Sequence, residues 1–261
     1  MITVNDFIEE GGGNILKSKR KQVIMEEISK DSFVTLENLV TILKTSESTV
    51  RRDLDELESE HKLHRVHGGA ELLHSLQEEL SNKQKSIKNV QLKTDIAKKA
   101  ASFISDGEVI FIDAGTTTEL LLDELFQNDL KVVTNSIHHA SKLVEHNIET
   151  LIIGGVVKTT TDASIGNVAV EQIRQLNFDK AFLGMNGVDE QFLTTPDIEE
   201  AVIKKTVIEN AQKSYILADS SKIGHVSFAK VDRIEAAELI TNHSDIALIK
   251  KIREKTRVFE V

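Results

Sequence analysis

Six short β-branched or apolar runs, Val109–Ile112, Lys131–Thr134, Leu151–Ile153, Ala181–Leu183, Tyr215–Ala218 and Leu239–Thr241, are separated by stretches of helical periodicity. Strands that alternate with helices cannot pair as hairpins, so the runs predict a largely parallel sheet covered on both faces, an α/β domain over residues 93–261. In such sheets ligands collect where strands end and loops turn into helices. The strand at 109–112 ends in Asp113-Ala114-Gly115-Thr116-Thr117-Thr118 before a helix begins at Glu119. Small residues, hydroxyls and a helix start suit a phosphate, although a well-capped turn needs the same residue types. Asn135 and Ser136, Gly154 and Gly155, and Asn186 and Asp189 follow three other strands and extend the candidate crevice. Lys222 follows the strand at 215–218 and offers the positive charge that an anion requires.

The first 70 residues have a different texture. Met1 to Asn14 ends in Gly11-Gly12-Gly13 and predicts a flexible extension. It carries Asp6, Glu9 and Glu10 where a secretory signal would carry basic charge, and no apolar run is long enough to cross a bilayer, so a cytoplasmic protein is expected. From residue 15 to 70 three short amphipathic helices are expected. Val23, Ile24 and Ile28 mark the first, Leu36, Leu39, Val40 and Leu43 the second, and Val50, Leu54 and Leu57 the third. Thr35 and Ser46 stand where helix caps belong. Burying Val50, Leu54 and Leu57 leaves Ser46, Ser48, Thr49, Arg51 and Arg52 at the exposed leading end of the third helix. Hydroxyls and guanidinium groups there can reach phosphates and base edges of a DNA groove. The stretch 62–70 that follows, with Arg65, His67 and a Gly68-Gly69 pair, is extended and basic and predicts a wing. A plain three-helix bundle with a surface hairpin is the alternative. Residues 71–92 predict a connector between the two domains.

The net charge of −10 opposes DNA binding only if it is evenly spread. Residues 15–70 balance at ten basic and ten acidic side chains, and the excess lies mostly in residues 71–261, with 29 acidic against 22 basic. The absence of cysteine excludes disulfides and thiolate-bound zinc. His61, His64 and His67 recur at intervals of three, but an extended strand sends them to alternating faces, and no carboxylate lies within the wing to complete a site. No metal, cofactor or catalytic residue is expected.

Thr49-Val50-Arg51-Arg52-Asp53-Leu54 followed by Arg65-Val66-His67-Gly68-Gly69-Ala70 resembles the signature of the DeoR family of bacterial sugar-metabolism repressors. The similarity runs from about Leu16 to the C-terminus and takes in Asp113 to Thr117, Thr134-Asn135, Gly154-Gly155 and Asp219 to Lys222. It implies an N-terminal winged helix-turn-helix, a C-terminal domain with a fold similar to ribose-5-phosphate isomerase, and a homo-oligomer on double-stranded operator DNA. Gly187-Val188-Asp189 with Thr194 to Ala201 resembles the fructose-operon repressor branch, which implies fructose 1-phosphate as effector. On physical grounds the residues do not separate that sugar from tagatose 6-phosphate. An isomerase-like enzyme is the competing class, with Asp113, Asp189 and Glu199 as available carboxylates. The Gln191–Pro196 segment lacks the lysine- and glycine-rich loop that such isomerases place there. A DNA-binding activator or architectural protein without a ligand is the third.

Overall fold

The computed structural model describes residues 16–31, 33–60, 62–66, 68–72, 76–77, 79–243 and 247–261. The expected extension at 1–14 lies outside these residues. Contacts divide the chain into two compact units, Met1–Ser75 and Leu76–Val261, with the division inside the expected connector.

In the first unit, α1 (Lys17–Asp31), β1 (Phe33–Thr35), α2 (Leu36–Leu43) and α3 (Glu47–Ser59) precede a hairpin of β2 (Leu63–Val66) and β3 (Gly69–Leu72). The helical periodicity is realised as a core of Ile24, Ile28, Leu39, Leu43, Val50, Leu54 and Leu57. Thr35 Oγ1 accepts from the Asn38 amide at 3.1 Å, and Ser46 Oγ accepts from the Thr49 amide at 3.4 Å. Each satisfies a donor that a helix start leaves open. Lys44, left-handed at φ 47°, ends α2 and makes the tight turn. Asp53 is buried on α3 and takes two bonds from the Arg20 guanidinium, at 2.6 and 3.1 Å, which ties α3 to α1.

The hairpin turns at Gly68, whose φ of +89° favours glycine. β3 also pairs with β1, a strand that periodicity does not reveal. A Cβ on Gly69 would lie 2.2 Å from the Val34 carbonyl oxygen, so this pairing requires glycine there. Three helices followed by a hairpin on a three-stranded sheet make a winged helix-turn-helix.

In the second unit, α4 (Asn82–Ser86) and α5 (Val90–Ala101) lead into β4 (Val109–Ile112), α6 (Thr116–Leu122), β5 (Lys131–Thr134), α7 (Ile137–Glu145) and β6 (Glu149–Ile152). A hairpin of β7 (Val156–Lys158) and β8 (Ala163–Ile165) follows, then α8 (Asn167–Arg174) and β9 (Phe178–Gly184). β10 (Gly187–Val188), β11 (Phe192–Thr195), α9 (Ile198–Asn210), β12 (Ala211–Leu217), β13 (Ala229–Arg233), β14 (Glu238–Thr241), α10 (Ala247–Arg253) and β15 (Val258–Glu260) complete it.

Seven strands form a parallel sheet in the order β15-β14-β12-β9-β4-β5-β6. All six strands expected from the sequence lie in it, and β15 is the seventh. Ile110, Ile112, Phe182, Leu217 and Ile240 pack on one face with α5, α6 and α7. Phe111, Leu183, Ile216 and Leu239 pack on the other with α8, α9 and α10. A strand buried on both faces reads as a continuous apolar run, which is why these strands were legible. The β7–β8 and β10–β11 hairpins were not, because strands of two to four residues carry too little alternation to read, and β11 also pairs with the distant β13.

The chain builds β4, β5 and β6 in one direction, then returns to the far side of β4 and builds β9, β12, β14 and β15 in the other. The order therefore reverses between β4 and β9. At such a switch point the loops leave in opposite directions and open a crevice outside the carboxyl ends of the strands.

Candidate DNA-reading surface and effector crevice

The leading end of α3 presents Ser46, Ser48, Arg51 and Arg52 exposed and Thr49 half-buried. The Ser46 hydroxyl lies 3.0 Å from that of Ser48 and 2.8 Å from that of Thr49, so the three form one polar cluster at the helix cap. Arg51 is paired with Glu47 on the same helix at 2.5 Å, both side chains more than half exposed. An exposed pair of this kind contributes little and exchanges readily for a phosphate. Arg52 has no carboxylate partner among the described residues. Arg65 on β2 pairs with Asp55, and its amide donates to Glu58 Oε1 at 2.8 Å. The wing arginine is therefore held against α3. His67 and His61 lie outside the described residues.

In the second unit the parallel register sets the ends of β4, β5, β6, β9 and β12 side by side. Ile112 pairs with Thr134 and Phe182, Thr134 with Ile152, and Gly184 with Leu217. Asp113, Gly115 to Thr118, Asn135, Ser136, Gly154, Gly155, Asn186 and Lys222 consequently share one edge of the sheet. Asp189 sits apart, in the turn between β10 and β11. There its Oδ1 accepts from the Gln191 and Phe192 amides at 2.5 and 2.7 Å, the work of a turn residue.

Many of the predicted residues build the crevice and have their polar atoms engaged. Asp113 is buried and ion-paired with Lys204 of α9, and it accepts from the Gly184 amide at 3.1 Å. Burial pushes its carboxyl up, and Lys204 opposes that shift. The Thr118 hydroxyl donates to the carbonyls of Asp113 and Gly115. Asn135 accepts from the Ala114 amide at 3.0 Å and donates to the Ser164 carbonyl at 3.4 Å, which pins β8 across the end of β5. Ser136 caps α7, and Asn186 accepts from the Thr195 hydroxyl at 3.1 Å. The Gly154 amide and carbonyl are both bonded by the Gln172 side chain. Gly115 is extended at φ 177°, so no left-handed backbone demands glycine there. α6 spans only seven residues, a modest source of helix-end field.

The positive charge comes from lysines that the sequence reading passed over. Lys93 of α5 is buried, and its ammonium donates to Thr116 Oγ1 at 3.0 Å and to the Lys85 carbonyl at 2.5 Å. Burial, partly offset by Asp219 and reinforced by repulsion from Lys222 and Lys85, lowers its pKa to about 8. Lys85 is lowered too, chiefly by burial and also by Lys204 and Lys222. These lysines thus repel one another, and Asp219 beside Lys93 and Glu79 and Glu200 beside Lys85 offset part of that repulsion. Nothing local in the sequence announces it, since Lys93 and Thr116 are 23 residues apart and Lys204 and Asp113 are 91 apart. The three carboxylates available to an isomerase do not converge. Asp113 is engaged with Lys204, Asp189 belongs to a hairpin turn, and Glu199 is exposed at the start of α9.

α4 belongs to this edge as well. The Asn82 amide and side chain donate to the carbonyls of Thr160 and Thr161 at 3.0 and 2.7 Å, and Lys158 pairs with Glu79 at 2.5 Å. The Asn89 side chain donates to Asp219 Oδ1 at 3.3 Å. The later part of the expected connector, 79–89, therefore packs on the second unit.

A capped helix with an exposed polar leading end and a wing in one unit, and a parallel sheet whose strand order reverses in the other, define a winged helix-turn-helix joined to an α/β domain. The DeoR-like helix-turn-helix domain matches residues 20–76, and the DeoR C-terminal sensor domain matches residues 88–243. The HTH-type transcriptional regulator FruR of Bacillus subtilis is 41% identical over 94% of this chain and 98% of its own length. The lactose phosphotransferase system repressor of Streptococcus mutans is 33% identical over 93% and 98%. Ribose 5-phosphate isomerase A of Methanocaldococcus jannaschii shares 22% identity over 52% of this chain and 55% of its own, with a TM-score of 0.39, too distant to bear on activity. The chain belongs to the DeoR family of transcriptional regulators. No described helix is long and apolar enough to cross a membrane.

Proposed function

We propose that this protein represses a sugar-utilisation operon in the cytoplasm, and that a phosphorylated sugar held in the crevice controls its grip on double-stranded operator DNA. The observation that carries the effector half is the buried Lys93, whose ammonium donates to Thr116 Oγ1 at 3.0 Å at the end of β4, with Lys222 and Lys85 close enough to repel it. Fructose 1-phosphate is the sugar of first choice, supported by the likeness to FruR. A regulator of a lactose phosphotransferase system is the second reading, supported by the Streptococcus mutans relative.

Ser46, Ser48, Thr49, Arg51 and Arg52 are the groove-facing set, with Arg65 and His67 as wing contacts. Thr116, Thr117 and Lys222 face the ligand together with Lys85 and Lys93. The other predicted crevice residues shape the site. Two copies act together, because paired recognition helices meet half-sites a fixed distance apart. Lys85 lies on α4, on the covalent path to the DNA-binding unit, so an anion that draws Lys85 and Lys93 together acts on that path. The effector shifts the equilibrium only by its differential affinity for the two states.

Gel-shift titration of two variants tests this division. Arg52→Ala weakens operator binding and lowers the salt dependence by about one phosphate contact, with sugar-phosphate affinity intact. Lys222→Ala spares operator binding and abolishes the response to sugar phosphate. The reverse pattern overturns the assignment.

A further inference from the structure

The crevice does not end at Asp219. β12 and β14 run in parallel register with Leu217 opposite Ile240, and the Ala218 amide continues the ladder to the Ile240 carbonyl at 3.2 Å. Two residues further on, the same register sets Asp219 beside Asn242. Side chains alternate along a strand, so both project to the face that Leu217 and Ile240 share with α5. The first turn of α5 covers them. Asn89 bonds Asp219, and the Asn242 amide nitrogen donates to the Leu92 carbonyl at 3.0 Å, next in sequence to Lys93.

That bond fixes which way the Asn242 amide points, because a carbonyl accepts only from the nitrogen. Oδ1 then faces away from Leu92, and it is buried without a hydrogen-bond partner, on a residue 4% exposed. An orphaned buried acceptor is costly and is retained where something else supplies the donor. The row from Thr116 through Lys93 and Asp219 to Asn242 thus passes from the Lys93 ammonium to an end where one buried acceptor, Asn242 Oδ1, lacks a donor. A phosphate fits the first and a hydroxyl the second.

Resting on the sugar-phosphate reading above, we propose that Asn242 Oδ1 accepts a hydrogen bond from a hydroxyl of the bound sugar, making Asn242 a specificity-determining residue at the end of the crevice away from the phosphate. Asn89, whose side chain lies on Asp219, moves aside to admit it. The phosphate is held by the lysines and is indifferent to residue 242.

The test is calorimetry on the full chain with inorganic phosphate, fructose 1-phosphate and tagatose 6-phosphate, comparing the parent with Asn242→Leu. Leucine keeps the shape and removes the Oδ1 acceptor together with the Nδ2 donor to Leu92, and the inorganic-phosphate arm reads any shift of Lys93 that the lost Leu92 bond causes. The expected result is a sugar-phosphate affinity lowered about tenfold, with inorganic-phosphate affinity and ligand-free operator affinity unchanged within about twofold. Asn242→Ala repeats the measurement should leucine not be accommodated. Equal losses for sugar phosphate and inorganic phosphate, or no loss for either, overturn the assignment of Asn242 while leaving the effector reading in place. If the parent binds neither sugar phosphate more tightly than inorganic phosphate, the effector reading fails and this assignment fails with it.

Discussion

The lowered pKa of Lys93 makes effector binding pH-dependent in a range where few other side chains titrate. The ammonium loses its proton at about 8 because burial penalises the charged form, with Asp219 opposing and Lys222 and Lys85 adding to the shift. A phosphate monoester has its second pKa near ~6, so the ligand is a dianion throughout pH 7–9. Over that span the charged fraction of Lys93 falls from about nine-tenths to about one-tenth. If only the ammonium binds phosphate, the sugar-phosphate Kd rises about tenfold between pH 7 and pH 9.

Stability moves the other way. Above pH 8 the unfolded chain holds more protons on this lysine than the folded chain does, so its contribution makes the ligand-free protein more stable as pH rises toward 10.5. Calorimetry in two buffers of different ionisation heat measures both affinity and proton uptake, and roughly half a proton is taken up on binding at pH 8. Lys93→Met binds more weakly and flattens the profile. A parent affinity that does not change between pH 7 and 9, or a slope that survives in Lys93→Met, refutes the reasoning.

Three further outcomes follow from packing. Lys204→Met strands the Asp113 carboxylate in the interior and costs about 3–5 kcal/mol near neutral pH. Because burial raises the Asp113 pKa, the folded variant takes up a proton as pH falls, and the deficit against the parent in thermal melts shrinks between pH 8 and pH 5. Arg20→Met leaves the 1%-exposed Asp53 uncompensated and destabilises the winged unit by a similar amount, read as early melting of that unit. Gly69→Ala drives a methyl into the Val34 carbonyl and loosens the β1–β3 pairing at a cost of about 1–3 kcal/mol, with operator affinity lost before effector affinity.

The helix caps at Thr35 and Ser46, the core faces of α2 and α3 and the six expected strands were legible because each depends on residues a few positions apart. The exposed polar end of α3 was legible for the same reason. Cap, exposed arginines and buried leucines all belong to one helix and the turn before it. The crevice was legible only as a place. Asp113, Asn135 and Ser136 were correctly drawn to the strand ends, yet their polar atoms are engaged in building the site. Asp189, read as a sugar contact, is occupied in a hairpin turn. Nothing local marks Lys85, Lys93 and Lys204, and only long-range packing buries Lys93 and Lys204.

The amino-acid order by itself determined that this chain makes a cap-initiated reading helix with a wing, followed by strands obliged to run parallel. Local hydrogen bonding and the periodicity of apolar side chains are properties of short segments. The tertiary structure alone decided where the strand order reverses, which lysines are crowded around Lys93 and which carboxylates they meet. Charges act through space across a low-dielectric interior, and folding sets the distances between residues far apart along the chain.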